Sequence, residues 1–507
     1  MPRASLSRND SVQVERLDLK PLNVRGTGPK RVEVNSLHLS VVSFSEQKRG
    51  STAWTRLSRR EFLAAAGGAA AAVALGAPAA PSEARSFLLS RSGCGRATGY
   101  AEASKIITAG DRTHVAWLDA DSRGFYVRIR TLDRRAGTWS PTWTVGAAQD
   151  NHGGPGLIVD GRGFLHIVYY PHHASFRYRR SKRPNDASEW EPELQFGESL
   201  SYPVLLCTPD DTLLMTARRK FSATPEAPAR PWELELWRKP AAGTWQRERA
   251  LLRSRHGGYT HFQESLAWGA DGRTIHLGCR IFETTGVKDE TPLETAGYLM
   301  SPDAGKTWRR ADGAVVALPA TAETIDVLAR GGGASGRTLF SGSLAVNLRG
   351  VPHLLHSVRE NGRARSYLAT PAPDGSGWVK LDLQAFLPEA RRSRDLVMPG
   401  GLTFSASGRA TMVATLVKLA APTESDWAHP SSAVVRFWSD DDGRSFRSEV
   451  LEAPGAMTPH WLPNLERLTG KNVIPVEPGI IFTAGGGGAG LNELELNNEV
   501  WWRSANG

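Results

Sequence analysis

The stretches SPDAGKTW (residues 301–308) and SDDDGRSF (residues 439–446) share one pattern, Ser-x-Asp-x-Gly-x-x-aromatic. The aspartate can accept hydrogen bonds from the amides of a turn, and the glycine can adopt the positive φ that such a turn requires. The aromatic side chain that follows is placed to pack inward. Each stretch therefore predicts a tight turn between two β-strands, and the repetition indicates a fold built from similar β units.

The same succession of strands and turns recurs about every fifty residues beyond residue 100, which is the signature of a β-propeller. The two stretches above resemble the Asp-box hairpins of sialidase-like propellers. We predict an all-β fold, a single seven-bladed β-propeller of four-stranded antiparallel blades over residues 86–507. Six copies lie at residues 114–145, 156–196, 202–252, 265–313, 343–383 and 401–451, and the seventh would join residues 479–485 and 499–505 to an early strand at residues 100–111.

Composition favours short strands and excludes some classes of function. The chain is rich in Gly (51 residues), Pro (31) and Trp (16), which suits a fold of many turns. Its formal charge of +10 comes largely from the first 85 residues, because residues 86–507 hold 49 Lys/Arg and 45 Asp/Glu. So small a surplus does not indicate a nucleic-acid-binding protein. Three cysteines are too few for a disulfide scaffold.

Residues 1–85 are predicted to be an N-terminal extension with an export signal. Arg59 and Arg60 precede an Ala-rich, weakly apolar run that ends in Ala77-Pro78-Ala79, and together they resemble a twin-arginine signal peptide. A transmembrane anchor is the alternative, but the run is too short and too rich in Ala and Gly to span a bilayer well. The resemblance implies a periplasmic or extracellular protein, free of the membrane after cleavage near Ala79.

Polar residues gather where strands of the second and third copies begin or end. Asp150-Asn151-His152 precedes the second copy, and His172 follows its second strand. The third copy repeats this arrangement, with Tyr202 at its start and Arg218, or the neighbouring Arg219, near the end of its second strand. Because propellers bind ligands at the mouth of the central channel, we expect these side chains to face one cleft.

The chemistry of this set is that of proton abstraction next to a carboxylate. An arginine can hold the carboxylate in a bidentate fork, and its charge can stabilise the enolate-like intermediate. His152 and Tyr202 can share the acid and base roles, and the sequence does not distinguish which is which. For Tyr202 to act as the base, neighbouring cations would have to lower its pKa. The reaction predicted by this set is β-elimination on a uronic acid.

At these residues the sequence resembles the propeller-type polysaccharide lyases with BNR repeats that cleave ulvan and related rhamnose–glucuronate linkages. The match lies in the motifs DNH (150–152), GFLH (163–166), RYRRS (177–181) and Tyr202-Pro203 with Arg218. The resemblance covers most of residues 100–320 and implies an anionic uronic-acid polysaccharide as substrate. It implies catalytic roles for His152, Tyr202, Arg218 and His172, and substrate binding by Asn151, His173, Arg219 and Arg280.

Several of these residues have a structural role as the alternative. His166 is in phase with apolar neighbours and is expected in the core, and Tyr202 is alternatively a wall aromatic of the cleft. His261, His276 and Cys279 are of the types that bind zinc, and some of the resembling lyases carry a structural metal. His276 and Cys279 are three residues apart on a presumed strand and would point to opposite faces. We therefore predict no cofactor and no metal site.

Two other classes of function are open from the sequence. The hairpins suggest a sialidase-like glycoside hydrolase, but such enzymes generally need two acting carboxylates, and no such pair is recognisable at the blade mouths. A non-catalytic carbohydrate-binding propeller would keep the shape without the chemistry. For the lyase we predict a monomer with no nucleic-acid partner.

The export signal gives a direct test. Replacing both Arg59 and Arg60 by Lys should retain the precursor in the cytoplasm, because twin-arginine recognition requires the arginine pair. Immunoblots of cytoplasmic and exported fractions measure the effect. Unchanged export of the double variant would show that this pair is not the signal.

Overall fold

The protein is described by a computed structural model that covers residues 86–504, apart from residues 225–227, 288–289, 420, 422–423 and 489. The predicted export signal and the rest of residues 1–85 lie outside the described residues. Within the described ranges no helix is long and apolar enough to cross a membrane. The structure is all-β there, with three short 3₁₀ turns at Gly333–Ser335, Leu383–Phe386 and Glu389–Arg391.

The strands of the first half of the chain alternate with turns at the Asp, Gly and Asn positions of the sequence. They are β1 (Ser86–Gly93), β2 (Ile106–Ala109), β3 (Arg112–Asp121), β4 (Gly124–Asp133), β5 (Thr138–Trp139), β6 (Trp143–Ala148), β7 (Gly156–Val159), β8 (Leu165–Tyr169), β9 (His172–Arg180), β10 (Leu194–Cys207), β11 (Leu213–Arg219), β12 (Glu233–Lys239) and β13 (Gln246–Arg253).

The second half continues in the same way. Its strands are β14 (Thr260–Trp268), β15 (Ile275–Glu283), β16 (Leu293–Ser301), β17 (Asp326–Gly332), β18 (Thr338–Val346), β19 (Pro352–Glu360), β20 (Arg363–Pro371), β21 (Trp378–Asp382), β22 (Asp395–Phe404), β23 (Ala410–Val417), β24 (Ala433–Ser439), β25 (Arg447–Val450), β26 (His460–Leu465), β27 (Gly479–Ala484) and β28 (Asn498–Ser504).

These strands form antiparallel sheets in which chain neighbours pair. Three sheets have four strands each, in the orders β14 to β17, β18 to β21 and β22 to β25. A seven-stranded sheet runs from β7 to β13, and its long strand β10 pairs with β9 through its first half and with β11 through its second. A nine-stranded sheet has the order β26-β27-β28-β1-β3-β4-β5, with β2 paired to β3 and β6 to β4.

The strand that joins the two ends of the described chain differs from the predicted one. The sequence suggested residues 100–111, but the partner of β28 is β1, in a register that sets Ser86 opposite Arg503. Ile106 pairs instead with Val115 of β3. The reason is that residues 94–105 are needed as a loop, whose polar side chains reach the cavity described below. We call residues 94–105 the β1–β2 loop.

The two turn motifs have the hydrogen bonds that their residue types require. Asp303 accepts from the Ser301 hydroxyl (2.9 Å) and from the amide of Thr307 (2.8 Å). Gly305 has a φ of 98°, a conformation that glycine adopts without steric cost. The turn delivers Trp308 into a core of Leu, Ile and Phe side chains, where it is 1% exposed.

The buried indole of Trp308 should stabilise this part of the fold strongly. Trp308→Ala should lower the free energy of unfolding by about 3–5 kcal/mol, because the cavity adds to the lost transfer free energy. Urea unfolding followed by circular dichroism measures the change. Val315→Ala is the matched control: its side chain lies nearby but is 68% exposed, so it should change stability by less than about 0.5 kcal/mol. Equal effects would contradict the assignment of Trp308 to the core.

Candidate active site

A cavity of about 230 Å³ collects side chains from most of the sheets. They come from the β1–β2 loop, from the segment before β7, and from β10, β14, β15, β18, β22 and β26. Aromatic rings, imidazoles and two arginines dominate the lining, which suits a polar ligand with sugar-like faces. The lining includes Arg96, Tyr100, Glu102, His152, Tyr202, Tyr259, His261, Gln263, Arg280 and Trp427.

One carboxylate organises the two histidines that the sequence singled out. Asp150 lies within 3.0 Å of Nδ1 of His152 through Oδ1, and within 3.0 Å of Nδ1 of His172 through Oδ2. The amide of His152 also donates to Oδ1, at 2.7 Å. Burial alone would raise the pKa of Asp150, but these hydrogen bonds bring it well below its ordinary range. The group is therefore a carboxylate at neutral pH.

The two imidazoles are held as a stacked pair. The ring centroids of His152 and His172 are 3.7 Å apart, and the planes are inclined by 19°. Because a carboxylate only accepts hydrogen bonds, Nδ1 of each imidazole carries a hydrogen and donates to Asp150. Burial lowers the pKa of His152 below its ordinary value, and Asp150 offsets this only in part. His152 is thus a neutral imidazole with Nε2 available as a proton acceptor.

Tyr202 is aimed into the cavity by an irregularity of β10. The register between β10 and β11 shifts between Ser201 and Val204, where Pro203 offers no amide hydrogen to the ladder. Tyr202 itself has a φ of 60°, in the left-handed region that a residue other than glycine seldom adopts. Bulges of this kind re-aim side chains beside active sites. The ring centroid of Tyr202 lies 6.4 Å from that of His152.

Arg218 lies behind Tyr202 in an aromatic box. Its guanidinium carbon is 4.5 Å from the ring centroid of Tyr202, 5.2 Å from that of Trp232 and 5.7 Å from that of Tyr259. It donates to the carbonyl oxygen of Thr260 at 3.2 Å. The side chain has no exposed surface, so an anion in the cavity reaches it only if one of the covering rings moves.

The pKa of Tyr202 is not lowered, as the role of a catalytic base would require. Arg218 does act to lower it, as expected, but burial has the larger effect and raises the pKa above its ordinary value. Tyr202 is therefore a protonated phenol in the free protein. Burial keeps both His152 and Tyr202 uncharged, which prepares the first to accept a proton and the second to donate one.

The four predicted substrate-binding residues have different surroundings. Asn151 is 1% exposed, and its side-chain amide donates to the carbonyl oxygens of Gly490 and Leu491. His173 stacks on His172 with a centroid distance of 4.3 Å. Arg219 points to the other face of β11, where it pairs with Glu235 at 3.3 Å. Arg280 lines the cavity and is paired with Glu294 at 3.0 Å.

Sequence reasoning missed two residues of the β1–β2 loop. Tyr100 stacks against Tyr202 with a centroid distance of 4.4 Å, and the two hydroxyl oxygens are 3.4 Å apart. Nη1 of Arg96 donates to the Tyr100 hydroxyl. Burial raises the pKa of Tyr100 well above its ordinary value, so it is a hydrogen-bond donor toward Tyr202. Arg96 belongs to none of the predicted repeats, Tyr100 was assigned to a strand of the seventh, and no motif marked either residue.

Tyr259 was also missed as a site residue, and His261 was considered only as a zinc ligand. Tyr259 directly precedes β14 and His261 is the second residue of that strand. The ring centroid of His261 is 5.0 Å from that of Tyr202. Gln263 pairs with Arg280 as Ser201 pairs with Arg218, so neither residue occupies the position equivalent to Tyr202, and comparing the repeats would not have found them.

The β1–β2 loop is fixed by hydrogen bonds from β26 and from the segment that follows it. The Asn464 side-chain amide donates to the carbonyl oxygen of Tyr100 at 3.1 Å. Arg467 is 4% exposed and donates to the carbonyl oxygen of Glu102 at 2.7 Å, and to the hydroxyls of Ser265 (3.0 Å) and Ser343 (2.5 Å). One guanidinium therefore ties the β1–β2 loop to β14 and β18.

Metal binding is chemically conceivable at one place in the described part of the chain. The ligand atoms there lie close enough together to hold one ion, and they belong to Asp150, His152 and His172. Both oxygens of Asp150 already accept from the imidazoles, so an ion would have to replace these hydrogen bonds. Of the residues considered for zinc, His276 is bound to the Tyr298 hydroxyl at 2.6 Å, and Cys279 packs in an apolar core.

Comparison with known proteins identifies relatives of this fold. A family model described as "BNR repeat-containing family member" matches residues 112–385. A stretch covering 12% of this chain is 27% identical to an ulvan lyase, PL25, of Pseudoalteromonas sp. (strain PLSV), and spans 18% of that relative's length.

Solved structures extend the likeness over most of the chain. A PL25 ulvan lyase bound to -[GlcA(1-4)Rha3S]- has a TM-score of 0.60 at 15% identity, covering 83% of this chain and 96% of that one. The polysaccharide lyase Uly1 has a TM-score of 0.53 at 10% identity, covering 83% and 99%. The resemblance predicted from the sequence, to propeller-type polysaccharide lyases with BNR repeats, is confirmed.

The role of Asp150 can be tested by histidine titration. Asp150→Asn should lower the pKa of His152 further, because the carboxylate is the group that favours its protonated form. NMR of labelled histidine follows the titration. Asp160→Asn is the matched control, since Asp160 contacts His166 at 3.2 Å outside the cavity; it should shift His166 and leave His152 unchanged. An unaltered pKa of His152 in Asp150→Asn would contradict the proposed contact.

Proposed function

The chain belongs to the BNR repeat-containing family, and on this premise we propose that it is a polysaccharide lyase that cleaves a uronic-acid-containing polysaccharide by β-elimination. One observation carries the proposal. A carboxylate-oriented, neutral His152 faces a protonated Tyr202 across a cavity lined by aromatic rings and arginines. A base and an acid that reach the same sugar are the groups that this reaction needs.

We also infer that the strands form seven blades. The three four-stranded sheets are one blade each, and the seven-stranded sheet divides at β10 into two. The nine-stranded sheet divides between β1 and β3, where a single residue pair, Gly93 with Asp119, joins its parts. The pairing of β1 with β28 would then close the last blade.

The protonation states support one of the two acid and base assignments that the sequence left open. Nε2 of His152 removes the proton from C5 of the uronate, and the electron pair forms the C4–C5 double bond. The bond from C4 to the glycosidic oxygen breaks, and that oxygen takes the proton of the Tyr202 hydroxyl. The products are a chain that ends in an unsaturated uronate and a chain with a new hydroxyl.

Neighbouring groups support these two residues. The Tyr100 hydroxyl is placed to donate to the phenolate that Tyr202 becomes, and the charge of Arg218 lies 4.5 Å from the same ring. His172 stacks on His152 and shares the carboxylate of Asp150 with it, so we assign it to orienting the base or contacting the substrate. Arg280 and His173 are proposed to bind the sugar chain, whereas Asn151 and Arg219 would act through the loops and strands that they hold.

A glycoside hydrolase is less well supported. Two carboxyl groups about 5–10 Å apart would be required, but Glu102 is the one acidic residue among the described residues that line the cavity. Burial raises its pKa. The related lyase structure bound to glucuronate and sulfated rhamnose supports an ulvan-like substrate. We further propose that the enzyme is exported, acts as a monomer and uses no cofactor.

Incubation with ulvan and other uronic-acid polysaccharides tests the function. A lyase produces an unsaturated uronate that absorbs in the ultraviolet. A hydrolase produces reducing ends without that absorbance, and a binding protein produces neither. Reducing ends without absorbance, or binding without cleavage, would therefore contradict the proposal.

Tyr202→Phe removes only the proposed acid. Turnover should fall by about 10²–10⁴, as is typical for loss of a general acid, while the affinity for the polysaccharide stays within about threefold. Initial rates and isothermal titration calorimetry measure the two quantities. Tyr126→Phe, on β4 away from the cavity, is the matched control and should keep full activity. If Tyr202→Phe keeps activity within about tenfold, Tyr202 is a wall aromatic and the acid is another group.

A further inference from the structure

Arg96 occupies a position in the cavity that the reaction leaves unused. Its guanidinium carbon lies 5.7 Å from the ring centroid of Tyr100 and 5.2 Å from that of Trp427. Trp427 is itself fixed by Trp461, whose centroid is 5.9 Å away and which is fully buried. The arginine is therefore held between two aromatic faces on the wall of the cavity.

The charge of Arg96 has no counter-ion among the described residues. Nη1 donates to the Tyr100 hydroxyl, and Nε is buried with no hydrogen-bond partner. No ion pair involves Arg96 anywhere in the described ranges, whereas Arg280, the other arginine of the lining, is neutralised by Glu294 at 3.0 Å. A partly buried cation without a partner is costly unless an anion binds to it.

The surroundings of Arg96 fit a charged sugar. A guanidinium matches the planar or tetrahedral oxygens of carboxylate and sulfate groups through two parallel hydrogen bonds. Trp427 lines the cavity beside it and offers an aromatic face against which a sugar ring can pack. Both residues lie outside the stretch matched by the family model, residues 112–385.

We propose that Arg96 and Trp427 form a second anion-binding position, which takes an oxyanion of the bound polysaccharide. Its source is either a sulfate ester on the sugar next to the cleaved uronate or a uronate carboxylate. The proposal rests on the proposed function, because it places the anionic chain in the same cavity. The proposed substrate class is therefore a polyanion, and Arg96 binds one of its charged groups.

Equilibrium binding in the Tyr202→Phe background separates affinity from turnover. The probes are ulvan oligosaccharides of one size and the same oligosaccharides after chemical desulfation, titrated by calorimetry. Arg96→Ala should weaken binding of the sulfated probe about 10- to 100-fold, as expected for loss of a charge-assisted pair of hydrogen bonds. If sulfate is the ligand, the desulfated probe binds equally weakly with and without Arg96. If the carboxylate is the ligand, both probes lose the same factor.

Controls exclude indirect effects. Arg91→Ala removes an arginine five positions earlier in the sequence, which is 72% exposed at its side chain and paired with Glu499, and it should change neither affinity. Arg96→Lys keeps the charge but not the fork, and should lose part of the affinity, so that the proposal remains testable if Arg96→Ala does not fold. Tyr100→Phe removes the hydroxyl that Arg96 contacts, and should retain the dependence on the oxyanion.

The outcomes separate this proposal from the proposed function. Unchanged affinity of both probes in Arg96→Ala, with a wild-type enzyme that cleaves ulvan, overturns the anion position and leaves the lyase intact. An Arg96-dependent affinity with no cleavage by the wild type overturns the lyase and leaves the anion position. Absence of both binding and cleavage overturns both.

Discussion

The pairing of β1 with β28 is the constraint on which the site depends. It brings Ser86 and Arg503, 417 positions apart in the sequence, within 2.7 Å through their side chains, and it fixes the strand from which the β1–β2 loop begins. That loop contributes Arg96, Tyr100 and Glu102 to the lining. Without this pairing, Tyr202 would lose the ring that stacks against it, and the cavity would lose one wall.

Burial shifts the pKa values of His152 and Tyr202 in opposite directions through one physical effect. Removing water disfavours the charged form of any group, so it lowers the pKa of His152 and raises that of Tyr202. A group able to accept a proton and a group able to donate one therefore lie in the same environment. Asp150 is the exception, because two imidazoles and an amide donate to it and keep it ionised. Its charge fixes which nitrogen of each histidine is free.

The sequence carried the information that is local and repeated. The hairpins around Asp303 and Asp441 and the alternation within strands follow from patterns a few residues long, and the placement of His152, His172 and Tyr202 follows from the repeat. The strand at residues 86–93 could not be recognised, because its mild pattern becomes a strand only when β28 is beside it. The same holds for Arg96 and Tyr100, whose positions depend on anchors such as Asn464 more than 350 residues away. The burial of Arg218 and the hydrogen bonds of the Asn151 side-chain amide to Gly490 and Leu491 are likewise tertiary effects. The spacing of residues along the sequence does not reveal them.

Arg467 has a consequence for the rigidity of the site. Burial lowers its pKa to about 10, so it remains a cation at neutral pH, and it donates hydrogen bonds to the β1–β2 loop and to side chains of β14 and β18. Its guanidinium is buried, so the loop that contributes Arg96, Tyr100 and Glu102 to the lining cannot shift without breaking these hydrogen bonds. A ligand therefore meets a wall that is already ordered, and the entropic cost of ordering the loop is not added to the free energy of binding.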